Sequence, residues 1–253
     1  LKEWIKKVYS FFDDDIPYHS ASLSFFTIFS ILPLLALLIV VVSSLPSFEQ
    51  HSLLLMSYIV DFINPTHSDT IVKFLDKFLQ NIDKLGSIGM FYLLFVFTMF
   101  FRDYEHIINK IYKTKTRAIY KLFFLYLSFL ILIPILFVVY ILVSTFLTFT
   151  FSGHIFSFIF LWLVFIALFI LSANTKVKFL AAAVSSLITI ITLSITKSLF
   201  GYYVNVNTTY TTIYGSFSVI LFFFLWIYIS WNIYLYGTKI CCILNQRDSE
   251  NEN

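Results

Sequence analysis

Leu122 to Phe149 reads LFFLYLSFLILIPILFVVYILVSTFLTF, without one charged side chain. A hydrocarbon layer of about 30 Å takes roughly 20 apolar residues in a helix, so this stretch is long enough to cross it. Hydrocarbon offers no partner to an unpaired backbone amide, which leaves helices or closed barrels, and the uniform apolarity lacks the alternation of a barrel strand. The same test applied outward finds five more runs: Ala21 to Leu45 with Pro33 inside, Leu85 to about Arg102, Ile155 to Ala173, Phe179 to Thr196 and Phe217 to Tyr236. Composition agrees, with 59% hydrophobic and 12% charged residues against roughly 25% charged in soluble domains, and a mean hydropathy of +0.87. The expected fold is all-α, a polytopic membrane bundle of six transmembrane helices, with 1–253 as a single integral membrane domain.

Lys and Arg are retained on the cytoplasmic side, so their placement sets orientation. Thirteen of the 17 lie before the first run, between the second and third, between the fourth and fifth, or after the sixth. The opposite gaps hold only Lys73, Lys77, Lys84 and Lys197. The bias puts the protein in the plasma (inner) membrane with both termini cytoplasmic. The first run starts too late and is too long for a cleaved signal peptide. A net charge of +3 spread over such retention signals gives no reason to expect nucleic acid as a partner; anionic lipid headgroups are the natural contact. Cys241 and Cys242 sit at the reducing inner end of the sixth run, where neither a structural disulfide nor a metal site is expected.

Outside the runs, residues 1–20 form an interfacial segment, with Trp4, Ile5, Val8, Phe11 and Phe12 set against Lys2, Lys6 and Lys7. Residues 46–84 form an outer segment. Its second half, His67 to Lys84, spaces Ile71, Phe74, Leu75, Phe78, Leu79 and Ile82 as one face of an amphipathic helix, and Phe48 to Ile63 is a weaker candidate. Such helices cap a bundle, lie among headgroups or dock a partner. The stretch Gly201 to Gly215 reads as an outer loop whose tyrosines suit a membrane-interface belt. The 245–253 tail is polar and is expected to be disordered. The 32 Phe and few small residues suit a lipid-facing surface better than close helix packing.

In a membrane helix the costly residues are the informative ones. The centres of the runs hold no Asp, Glu, Lys, Arg or His, which excludes the mid-depth carboxylate common in ion pumps. The densest polar group is at the inner end of the second run: Arg102, Asp103, Glu105, His106 and Asn109. Arg102 is three residues from Glu105 and four from His106, a spacing that allows an ion pair on one helix face. A second set, Asp15, Pro17, His19, Ser20, Ser22 and Ser24, stands at the entry of the first run, where hydroxyls bond back to the helix or across to another. Asn174, in the turn before Lys176, is placed to satisfy backbone groups at a helix end. No motif for a nucleotide, a metal or a cofactor is present, and the chain is not expected to be an enzyme.

Four stretches in order resemble the BrkB/YihY family of bacterial inner-membrane proteins. Tyr210 to Gly237, YTTIYGSFSVILFFFLWIYISWNIYLYG, is similar to its signature, with Tyr210, Tyr214, Gly215, Trp226, Tyr228 and the closing Gly237 on family positions. Asp15-Ile16-Pro17 followed by ASLSFFTIFSILPLL resembles its N-terminal motif, with Ser30 and Pro33. EHIINKIY places Asn109 on the family Asn, and Asn174-Thr175-Lys176-Val177 resembles its Pro-Asn-x-x-Val turn, with Ala173 where Pro is usual. After Gly237 the family's Ala-Glu is replaced by Thr238-Lys239. The resemblance implies six spans and an envelope or lipid-transport role. Members have also been described as ribonuclease BN or as virulence factors, and the nuclease label conflicts with the lack of catalytic groups here.

The functional expectation is transport or handling of a lipid or another amphipathic molecule in the cell envelope, with Arg102 and Asn109 on its path. The alternative is a non-enzymatic scaffold that docks a periplasmic or envelope protein through residues 46–84.

Overall fold

In the computed structural model the described residues are 15–43, 86–147, 153–207, 214–215 and 217–250, with Lys73, Lys77 and Asn81. Among them lie six helices and no strand: α1 (Ile16–Ser43), α2 (Gly86–Ile111), α3 (Ile119–Leu147), α4 (Gly153–Ser172), α5 (Phe179–Val206) and α6 (Phe217–Glu250). Each overlaps one of the six apolar runs. By length and composition, α5 and α6 pass as membrane-crossing helices. The interfacial segment before Asp15 lies outside the described residues, as does most of 46–84, where only Lys73 and Lys77 are seen to be helical.

Apolarity and helix ends do not coincide. The backbone ladder continues into polar flanks. Thus α2 runs nine residues past Arg102, and α5 continues through Gly201 to Val206 where a loop was expected. The tail is corrected too: α6 continues through Asn245 to Glu250, because Asn245 is bonded into the bundle. Pro17 falls in the first turn of α1, where its missing N–H costs nothing, and α1 and α3 run through Pro33 and Pro134 without a break.

The core draws on all six helices, including Leu23 of α1 and Leu122 and Tyr126 of α3, and its rings and small residues divide the work. Phe97, Phe169 and Trp226 are buried, while Phe25, Phe91, Phe124, Phe179 and Phe224 face outward. The Phe content therefore serves both a lipid-facing surface and the core, rather than the surface alone. Small residues, expected to be too scarce for close packing, are concentrated in α5, where Ala181, Ala182, Ala183, Ser185, Ser186 and Thr189 are buried. At Gly237 of α6 an added Cβ would stand 2.0 Å from Thr189 Oγ1 and 3.2 Å from Phe169. This is the close approach that small residues permit between membrane helices.

Candidate functional site

One end of the bundle gathers the start of α1, the α2–α3 loop, the α4–α5 turn and the late part of α6. The α2 end is built first. Tyr112 N–H bonds to Ile108 O, Lys113 N–H to Lys110 O and Thr114 N–H to Asn109 O, with Lys113 at φ 55°. That pairing and a left-handed residue make a Schellman stop, in which glycine is the usual occupant. The loop it launches is then tied down by two side chains from the preceding helical turns.

Asn109 is wholly buried. Its amide donates to Glu105 O at 3.0 Å, while Oδ1 accepts from Thr114 Oγ1 and from the Asn174 N–H, each at 2.7 Å. Asn174 answers by donating its own amide to Lys115 O at 2.8 Å. Glu105, also wholly buried, accepts the Arg117 N–H at 2.8 Å through Oε1, and Oε2 lies 3.3 Å from Arg117 Nη1. The guanidinium spends its donors on the carbonyls of Ser172, at 3.1 Å, and Ala173, at 2.7 Å. Those are orphan acceptors at the negative end of α4, where a cation is favoured. From α6, Asn245 accepts the Lys178 N–H at 2.8 Å and donates to Lys176 O at 3.1 Å. Together these contacts tie two loops to the tip of α6.

Behind the latch, the hydroxyls of Tyr112 and Ser185 have the Cys241 thiol beside them, and Cys242 packs its sulfur 3.8 Å from Ile111 O. Burial pushes the Tyr112 phenol above its ordinary value. Both cysteines are free and buried.

One residue before Glu105, Tyr104 faces the other way, onto a cavity of about 340 Å³ between α1, α2, α4, α5 and α6. Its wall is made of rings, Phe100 and Phe101 from α2, Phe165 from α4, Trp226 and Trp231 from α6. The hydroxyls in that wall and the Trp231 indole are already paired. The hydroxyls of Tyr104 and Tyr234 bond to each other, and Ser230 donates back to Trp226 O at 2.8 Å. Trp231 Nε1 donates to Thr27 Oγ1 at 2.8 Å, and Thr27 in turn donates to Leu23 O at 2.7 Å.

The polar group expected at the end of the second run is thus divided by the helix. Glu105 and Asn109 point inward, Asp103 is half-buried, and Arg102 and His106 are exposed. Glu105 meets Arg117 rather than Arg102: residue 105 is turned into the bundle, where the returning loop supplies the guanidinium. At the entry of α1, Ser20 and Ser24 bond back to Ile16 O and Ser20 O. Asp15 and His19 meet Lys110 of α2, at 3.1 and 3.2 Å. Among the other motif positions, Ser30 and Trp226 are buried, Pro17 and Tyr228 are half-buried, and Tyr214 and Gly215 are exposed. Gly215 adopts φ 54° and its carbonyl accepts both the N–H and the hydroxyl of Ser218, starting α6. Tyr210 lies outside the described residues, and nothing is described of the Pro33 side chain.

Sequence reasoning missed Arg117, Asn245 and, apart from Trp226, the cavity-lining aromatics. Arg117 was indistinguishable from the retention signals around it. For Asn245 the cue was a lone amide one turn past the Cys pair, on the continued period of α6.

A chain whose described residues are helical, with outward-facing rings and a cluster of bonded polar side chains at one end, belongs to the class of helical membrane proteins. Comparison with known proteins places it within that class. The family model described as Virulence factor BrkB matches residues 8–253, and the chain belongs to that family. Among its relatives is a protein described as a UPF0761 membrane protein in Glaesserella parasuis serovar 5. It is 30% identical over 81% of this chain and 77% of its own length. Proteins of the same description in Actinobacillus pleuropneumoniae serotype 5b (28%, covering 97% of this chain and 91% of the relative) and Alteromonas mediterranea (29%, 92% and 84%) are also similar. No solved structure matches the chain.

Proposed function

We propose that all six helices cross the bacterial inner membrane with the basic end and both termini in the cytoplasm, and that the bundle handles a lipid or another amphipathic molecule of the envelope without catalysing a reaction. The observation that carries this reading is the ring-lined cavity framed by five helices. A space of that size falls in the range of about 300–1,000 Å³ typical of small-molecule sites, which favour helix junctions in bundles. The tie of the two loops to α6 supports it, since a latch at one end holds the helices around the cavity in register. Asn109 bonds to Glu105, Thr114 and Asn174 in the latch, and the route favoured here runs through the ring-lined space.

The test is movement of fluorescent phospholipids between leaflets of liposomes holding the purified protein, against empty liposomes and liposomes holding an unrelated helical membrane protein. Protein-dependent movement is expected, unchanged by Arg102→Ala. Movement no faster than in the two controls would refute the lipid-handling reading.

A further inference from the structure

We infer that the cavity is the seat of a membrane lipid's acyl chain, an inference that deepens the lipid-handling reading and rests on it for its biological meaning. The chemistry of the wall selects the occupant. Tyr104 pairs with Tyr234, Thr27 with Trp231 and the Leu23 carbonyl, and Ser230 with its own helix, so the hydroxyls in the wall are already committed. A headgroup or a quinone ring placed there would lose water without gaining bonds, at roughly 1–3 kcal/mol for each polar group buried unpaired. Hydrocarbon loses nothing.

Size and place agree. The space of about 340 Å³ is more than twice the roughly 150 Å³ that holds benzene in a dry apolar cavity. It is partly open, and its wall residues Thr27, Phe100, Phe165 and Trp226 lie within the apolar runs. In a membrane, hydrocarbon is what lies outside such an opening. Tyr104 ends the cavity next to Glu105 of the latch. A lipid seated there has its chain among the rings, and its headgroup stays at the basic end of the bundle.

Trp226 is the reporter, because it lines the cavity yet is only 1% exposed, out of reach of bulk lipid. The full chain carrying Trp4→Phe, Trp162→Phe and Trp231→Phe is reconstituted in phosphatidylcholine vesicles with plain or dibrominated acyl chains, since bromine quenches indole at short range. The expected result is at least a twofold loss of Trp226 emission in brominated vesicles. Filling the cavity with Ser230→Phe, or from α5 with Leu193→Phe, should restore the emission while the two cysteines stay protected from maleimide. A chain retaining Trp231 in place of Trp226 repeats the reading with the Thr27 bond intact. Equal emission in both kinds of vesicle for both reporters overturns the inference, as does quenching that survives both fillings with the thiols still protected. Lipid movement is measured on the same samples. Quenching without movement keeps the acyl-chain site and rejects the lipid-handling reading, whereas movement without quenching rejects the site and leaves that reading standing.

Discussion

Removing the Arg117 side chain should open the basic end of the bundle more than neutralising its partner does. Arg117→Ala deletes the ion contact to Glu105 and the bonds to the Ser172 and Ala173 carbonyls, leaving a wholly buried carboxylate with one backbone N–H. Breaking a buried pair by deleting one member costs about 3–5 kcal/mol. Arg117 retains 18% exposure, so water relieves part of the loss and the lower end applies. A cost of about 3 kcal/mol multiplies the opening equilibrium roughly a hundredfold. Glu105→Gln keeps an acceptor for the Arg117 N–H and leaves the guanidinium its two carbonyls and some water, for about 1–2 kcal/mol. The assay is built in: the chain has two cysteines, both buried behind the latch, and their labelling by a maleimide dye in detergent at fixed pH follows local opening. Arg117→Ala should label fastest, and Glu105→Gln added to it should slow labelling again by removing the stranded charge. Wild-type labelling in Arg117→Ala, or a double variant as fast as the two single effects combined, would refute the reasoning.

Gly237→Ala drives a Cβ into Thr189 and should cost about 1–3 kcal/mol by overpacking, seen as a lower Tm in detergent and partly restored by Thr189→Ala. Lys113→Gly relieves a left-handed side chain at φ 55° and should stabilise by about 1 kcal/mol, again read by Tm. Lys110→Ala breaks a pair whose members are 51% and 68% exposed, and should change stability by less than about 1 kcal/mol.

The helices were legible because apolarity is a one-dimensional signal: a run long enough to span hydrocarbon must pair its own amides. The candidate site was only half legible. Glu105 and Asn109 stood out as costly residues beside a membrane run, but composition gives no rotation, and Arg102 and His106 looked equally good on the same turns of α2. What decides between them is Arg117, 12 residues on, which returns only because Lys113 stops the helix left-handed. A lysine in that place carries no turn signature in sequence. The cavity was illegible for a different reason. Phe100 and Phe165 have the same composition as the outward-facing Phe91 and Phe124, and which ring faces inward depends on helix packing.

That packing couples the two halves of the site. Tyr104 and Glu105 are consecutive, one committed to Tyr234 at the cavity and the other to Arg117 at the latch, so α2 cannot rotate to change one contact without straining the other. On the far wall, α6 is held by Gly237 against Thr189 and by Asn245 across the α4–α5 turn. Phe165 of α4 lies edge-on to Tyr234 at 6.1 Å. Packed interiors shift between discrete arrangements rather than deforming smoothly. A loosened latch should therefore alter the Tyr104–Tyr234 wall along with the loops, and the energy that places the loops also sets the width of the hydrocarbon seat.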